Sequence, residues 1–412
     1  MTTPSPTPMS PTTTPEEVFD GAALANLELI NDLWFYVVGV ASGLVCIIGV
    51  LGNVLSLLVW SSTEVRSSTC SVYFLTLAVY DLIFDFCVLA NICMAEILFR
   101  AAGDGISIPY LQFFDPSSVF FAPFLSMMAF GSVYTTVALA VDRCLAVVKP
   151  LTWPRLCTFK WTIVVNSLVL VWSVLTNIPL AMEGALDWSH VPRLNESFLV
   201  FTETQYRFSP FHTQVYLLYL FPAVSFVLPV LVIVVANVIL VYKVRKRCSA
   251  MAGTFPGLEC AQASRSREAN RLTSQVVVIS LLTLFSRCLY AIEYIWMALL
   301  GTIYIDECSV ACSALSAVTL FVLAVNASVN FFCYMYFVRK FRTLLVKRLQ
   351  CLACVLRSCR SRRQGSKPST LRTMSIFASS TRSQWSVCTE ERNGVQLTTV
   401  NKMPQSLTES TD

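Results

Sequence analysis

The sequence predicts an all-α membrane protein, a bundle of seven transmembrane helices followed by an amphipathic helix 8. Three observations predict it. Of the 412 residues, 55% are hydrophobic and only 13% are charged, where a soluble domain carries about 25% charged residues. Seven apolar stretches lie near residues 35–60, 70–98, 117–147, 160–182, 213–243, 273–300 and 309–337, and each reaches the roughly 20 residues that span a bilayer as a helix. Lys and Arg gather in alternate connections, which is how basic residues distribute about a membrane. Lipid offers no partner to open backbone groups, so each stretch must be helical.

The first 34 residues read as a disordered segment. Met1 to Pro15 is a Thr/Pro/Ser tract, open to O-glycosylation, without the basic and apolar regions of a cleavable signal peptide. No Lys or Arg occurs before the first span, whereas Glu16, Glu17, Asp20, Glu28 and Asp32 do. The third span leads to Lys149, Arg155 and Lys160, and the fifth to Lys243, Arg245, Lys246 and Arg247. Arg265, Arg267 and Arg271 precede the sixth, and Arg339, Lys340, Arg342, Lys347 and Arg348 follow the seventh. With an odd number of spans these basic connections share one side. The expectation is an N-terminus outside the cell and a C-terminus in the cytoplasm, with the net charge of +5 facing the inner leaflet. No aromatic-basic interleaving suggests nucleic acid. Asn195-Glu196-Ser197 is an N-glycosylation acceptor on the expected outer side. Asn326-Ala327-Ser328 has the same pattern but lies inside the seventh span and reads as a chance match.

Polar residues within the spans carry the next layer, because charges at membrane depth are expensive and usually functional. Gly52-Asn53 lies in the first span, Leu77-Ala78-Val79-Tyr80-Asp81-Leu82 in the second, Asp142-Arg143 at the end of the third, and Asn326 to Tyr334 in the seventh. Each residue alone could be a polar clamp between helices. In this order, each on its own span, they make the chain resemble the rhodopsin-like family of G-protein-coupled receptors. The resemblance implies a switch in which Arg143 pairs with Asp142 at rest and turns toward a heterotrimeric G protein on activation. Pro150, Leu151, Asn330 and Tyr334 match positions of the same machinery. It also implies an allosteric sodium pocket of Asp81, Ser132, Asn326 and Asn330. Ala327 stands where a serine is usual, which predicts weak sodium binding.

The departures from the family pattern bear on the ligand. The usual outer disulfide is absent, since Ser118 holds the expected position in the third span and the stretch from Glu183 to His212 has no Cys. A bond from Cys93 to Cys308 or Cys312 is geometrically conceivable, and free buried thiols are equally compatible. In the sixth span Thr283-Leu284-Phe285-Ser286-Arg287-Cys288 matches Cys-Trp-x-Pro, with Phe285 replacing the tryptophan and Arg287 the proline. Arg287 is then either an anchor for a ligand carboxylate or the partner of an internal acid such as Asp81, Glu96 or Glu293. Phe331 replaces the proline after Asn330, and Cys144 and Asn237 replace two tyrosines. The position of the amine-binding aspartate falls at Leu125, which argues against a monoamine. The ends of the fourth and seventh spans resemble the FMRFamide-receptor-like branch of neuropeptide receptors. Glu96, Glu183, Arg287, Tyr290, Glu293 and Tyr294 are candidates for contact with a peptide ligand.

Past the bundle (35–337), Phe337, Phe341, Leu344 and Leu345 recur at helical spacing with basic residues between them. This predicts a surface-lying helix over 338–350. Cys351, Cys354 and Cys359 follow as candidate palmitoylation sites. The remainder, 351–412, is expected to be a disordered cytoplasmic tail, with its Ser/Thr-rich part open to receptor kinases and arrestin. The sequence reads as no enzyme: its two histidines, His190 and His212, supply neither a catalytic pair nor a metal site. A transporter would tend to show internal repeats and interrupted helices; no repeat is visible and the number of spans is odd. A lipid-responsive receptor of the same fold is the nearer alternative.

Overall fold

The computed structural model describes residues 21–65, 69–101, 110–191, 195–251, 260–300, 310–363, 377–378, 385–391 and 394–400. Two compact units divide at Cys333/Tyr334. The first contains seven helices long and apolar enough to cross a membrane: α1 (Glu28–Trp60), α2 (Thr69–Ala101), α3 (Gln112–Val148), α4 (Phe159–Ala181), α5 (Phe211–Lys246), α6 (Arg271–Leu299) and α7 (Val310–Phe337), the last of which runs on into the second unit. The chain is a multi-pass membrane protein. Large apolar side chains such as Leu44, Ile48, Leu51, Leu168 and Val238 point outward, as lipid-facing residues must.

Helix α3 is the hub and packs against α2, α4, α5 and α6. At one end of the bundle a β-hairpin joins α4 to α5. Its strands β1 (Gly184–Val191) and β2 (Glu196–Glu203) pair antiparallel, with Gly184 opposite Glu203 and Val191 opposite Glu196. Asn195 turns the hairpin at φ 52°, a left-handed conformation that Asn tolerates better than most residues. This hairpin end also holds the start of α1. The opposite end holds Asp142.

Several helices widen to π-type turns toward the hairpin end. These are Trp34–Ser42 in α1, Val88–Cys93 in α2, and Phe211–Leu220 and Ala223–Val227 in α5. Pro222 and Pro229 bracket the second widened stretch of α5. Each lacks the N–H that a regular helix needs. Wide turns leave backbone carbonyls free for other partners. The Tyr134 hydroxyl donates to the Val224 carbonyl at 2.8 Å and Tyr294 to that of Leu217 at 2.6 Å. Two tyrosines from α3 and α6 thereby fasten α5.

The structure corrects three boundaries read from the sequence. The helix leading into α1 starts at Gly21, so residues 21–34 are not a disordered lead; Ala23, Ala25, Leu27, Glu28 and Leu29 favour helix. Past α7, α8 covers Arg339–Arg363 rather than stopping at 350, since nothing from Leu352 to Arg363 breaks a helix. Within the second unit the Tyr334 and Phe341 rings pack at a tilt with centroids 5.5 Å apart, and Phe341, Leu344 and Leu345 are buried while Arg339 and Lys340 are exposed. The tail, expected to be disordered, holds an antiparallel sheet of β3 (Phe377–Ala378), β4 (Trp385–Glu391) and β5 (Gly394–Val400). Its sequence alternates Trp, Val, Leu and Thr and carries Asn393-Gly394, a hairpin signal.

Candidate functional site

Asp142 and Arg143 lie at the end of α3 away from the hairpin, and the structure closes them on each other. Arg143 Nε donates to Asp142 Oδ2 at 2.9 Å, its Nη2 meets the same oxygen, and Nη2 also reaches Thr69 Oγ1 of α2 at 3.4 Å. Asp142 is 2% exposed. Its second oxygen accepts from Trp153 Nε1 at 3.0 Å and from Cys157 Sγ at 2.7 Å. Burial, and then the Asp142 carboxylate itself, pushes the Cys157 thiol up to about 11, which keeps it a donor at neutral pH. Trp153 and Cys157 sit on and just after a single helical turn, Trp153–Leu156. The sequence reading missed both. Pro150 is exposed and Leu151 is 81% exposed on the same loop, where an apolar side chain is free to dock.

Midway through the bundle, Asp81 accepts from Ser132 Oγ at 2.6 Å and from Asn330 Nδ2 at 2.7 Å, joining α2, α3 and α7. Asn326 is not part of that set of bonds. Its Oδ1 accepts from Thr283 of α6 at 3.4 Å. A second buried acid lies one turn along α2. Asp85 accepts from Asn53 Nδ2 at 3.2 Å and from Ser328 Oγ at 3.4 Å, and Asn53 also donates to the Ala327 carbonyl at 3.2 Å. Gly49 makes room for it, because a Cβ there would overlap Asp85 and Ser328. Its spacing of four from Asp81 could have flagged Asp85. Ser328 belongs to the Asn326-Ala327-Ser328 pattern, and nothing in the sequence marks it as a partner of Asp85.

Toward the hairpin end a cavity of about 490 Å³ opens between the helices. Glu183, Arg287, Tyr290, Glu293 and Tyr294 all line it, with Leu125 at the position expected of an amine-binding acid. Glu96 does not. It packs beside Gly39 of α1, because its place on α2 faces α1 rather than the cavity. Phe130, Phe221, Tyr290 and Tyr294 form an aromatic wall with Phe226 packed against it, ring centroids lying 5.1 Å apart for Phe226 and Tyr290 and 5.3 Å for Phe221 and Tyr294. At the mouth, Glu183 meets Arg207 Nη1 at 4.0 Å and His212 Nε2 at 2.9 Å, and Arg207 also bridges Glu203 at 3.2 Å. Burial pushes the Glu183 carboxyl up to about 7, with Arg207 pulling it back.

Deep in α6 the match of Phe285 to the family tryptophan fails. Phe285 is 62% exposed, whereas Thr283, Ser286 and Arg287 are buried. The inward face of the helix therefore runs through Arg287, and the residue facing the cavity is the arginine. Its guanidinium lies 5.7 Å over the Tyr290 ring. The conceivable bond from Cys93 is not formed. Cys93 is a free buried thiol beside Cys46 in one cluster, Cys312 is disulfide-bonded, and Cys308 lies outside the described residues. The tie that the missing outer disulfide would make is made otherwise: the Phe201 amide of β2 donates to Asp115 Oδ2, at the start of α3, at 2.8 Å.

Asn195 is exposed at the hairpin turn, and Cys351 and Cys354 are half-buried free thiols on α8. The side chain of Cys359 and the Ser/Thr-rich stretch at 364–376 lie outside the described residues.

Seven membrane helices, a ligand-sized cavity at one end and a closed charged latch at the other make the architecture of a membrane receptor. Residues 52–334 match the family described as 7 transmembrane receptor (rhodopsin family), and the chain belongs to it. Among its relatives are an allatostatin-A receptor of Bombyx mori, 27% identical over 79% of this chain and 83% of that one, and an FMRFamide receptor of Drosophila melanogaster, 25% identical over 77% and 54%. A Gq-coupled rhodopsin of Mizuhopecten yessoensis is 24% identical over 64% and 50%. The chain spans about half the length of the last two.

Proposed function

We propose that this chain is a plasma-membrane receptor for a neuropeptide, with the hairpin end outside the cell and the Asp142 end in the cytoplasm, signalling through heterotrimeric G proteins. The observation that carries the reading is the pairing, within one bundle, of an outer cavity with an inner latch that holds Arg143. Kinship with allatostatin-A and FMRFamide receptors supports a peptide. The cavity's aromatic wall and its charged mouth suit side chains and a peptide end better than a small amine, since Leu125 offers an amine no counter-charge.

A ligand that binds the rearranged bundle better than the resting one shifts the population between them. Arg143, leaving Asp142, would then face the incoming partner, with Pro150 and Leu151 forming the apolar part of the dock. Sodium would be held by Asp81 and Ser132; Asn330 presents an amide nitrogen, Ala327 has no hydroxyl, and a hard cation wants oxygen ligands, so binding is weak. Asn195 would carry a glycan, Cys351, Cys354 and Cys359 would be acylated, and the tail would be phosphorylated for arrestin.

The test is a peptide library applied to cells expressing the chain, read by calcium and cyclic AMP. A peptide response that Arg143→Ala abolishes at equal surface expression is expected. Lipid extracts acting where peptides fail would overturn the peptide reading.

A further inference from the structure

Arg287 is the residue that the bundle leaves unanswered. It is 3% exposed, and among the described residues its Nε has no hydrogen-bond partner. It stands 12 residues before the end of α6, so about 18 Å below the hairpin end at 1.5 Å per residue. Among the described residues, no internal acid is turned to it. Asp81 holds Ser132 and Asn330, Asp85 holds Asn53 and Ser328, and Glu183 sits with Arg207 and His212. Glu293 lines the same cavity but is turned to Ser316 on α7 and makes no ion pair with Arg287, and Glu96 lies beside α1. No ion pair to Arg287 forms among the described residues.

A buried guanidinium without a counter-charge is strongly unfavourable. Such a cost is tolerated where a ligand supplies the missing charge. Arg287 lines the cavity, and the Tyr290 ring covers one face of its guanidinium. That contact satisfies none of its N–H groups, which are left to donate. A carboxylate matches that fork with two parallel hydrogen bonds. Phe84, Leu125, Ala129, Leu320 and Leu323 give the cavity an apolar lining beside its polar members Ser126, Glu183, Arg207 and Glu293.

We infer that the cavity is built for a ligand bearing a free carboxylate, which enters first and docks on Arg287 while an apolar or aromatic body fills the space above. The inference rests on the reading of this cavity as the ligand site. It distinguishes a free acid from a neutral amide of the same shape, and two kinds of molecule could bring the acid: the C-terminus of a peptide or a fatty acid.

The experiment measures thermal stabilisation of the purified full-length chain in lipid nanodiscs. The probes are a tetrapeptide library with free C-termini, the same library amidated, lauric acid and lauramide. The expected result is stabilisation by members of one acid class at concentrations at least ten-fold below their amides. Arg287→Gln should lose that preference, and Arg287→Lys should keep part of it. Acid and amide acting alike on the unaltered chain would overturn the inference, whether or not the variants fold. Absence of stabilisation by any acid would also overturn it. Amidated peptides binding well would sink the carboxylate anchor and leave the peptide reading standing. Lauric acid alone, with dependence on Arg287, would support the anchor and remove the peptide reading.

Discussion

Asp142 carries more of the resting state than a single ion pair. Its two carboxylate oxygens gather Arg143, Trp153 and Cys157, so the latch ties the end of α3 to the following loop. Removing one charge-assisted contact worth about 1.5 kcal/mol shifts a two-state equilibrium about ten-fold. Asp142→Asn should therefore raise ligand-independent signalling by roughly that factor, read as basal G-protein activation at matched surface expression. An unchanged basal level would mean that the latch does not hold the resting state. Trp153→Phe removes one donor and should give a smaller rise. Gly49→Ala is a packing test: the added methyl overlaps Asp85 and Ser328, and overpacking of this kind costs about 1–3 kcal/mol, measurable as a lower unfolding midpoint. Asp81, Asp142 and Arg143 were legible in the sequence because a charge within an apolar run has few explanations. Trp153 and Cys157 carry no such signal, since a Trp and a Cys beside a membrane are ordinary until their donors are seen to converge.

Among the elements, the β-hairpin shows how a missing covalent link is replaced. Asp115 at the start of α3 accepts from the Phe201 amide, where the family would place a disulfide. Asp115→Ala should loosen the hairpin by about 1 kcal/mol and speed amide exchange across 184–203, with α3 protected as before. Next to it, Glu183, Glu203, Arg207 and His212 join the end of α4, β2, the turn and α5. The Glu183 carboxyl stands near 7 in the fold and lower when unfolded, so the folded state holds its proton more tightly. Stability contributed by this group is present at low pH and falls as the pH rises from the usual carboxylate range through about 7. The difference in unfolding midpoint between the unaltered chain and Glu183→Gln should shift against the unaltered chain from about pH 5 to about pH 8. The seven spans and α8 were readable from apolar length and periodicity. The π-type turns of α5 were not, beyond the hint of Pro222 and Pro229, because they depend on Tyr134 and Tyr294 arriving from other helices.

For the whole molecule, Asp81 lies between the cavity and the latch and bonds α2 to both α3 and α7. A cation bound there would favour the packing in which those helices are close. Sodium chloride should raise the unfolding midpoint over choline chloride at equal ionic strength, and Asp81→Asn should remove the difference. A sodium response that survives that change would place the ion elsewhere.

The sequence by itself determined the class, because lipid allows few structures and 55% hydrophobic content in seven long runs admits one. It also determined which charges are unusual. Only the tertiary structure decided which of them meet. It turned Phe285 outward and Arg287 inward, took Glu96 away from the cavity, brought Asp85 onto Asn53 and Ser328, and left Arg287 without a counter-charge among the described residues. Helical spacing gives faces relative to one another, but only the packing of neighbouring helices says which face looks inward, and the physical worth of a buried charge is set by what stands opposite it.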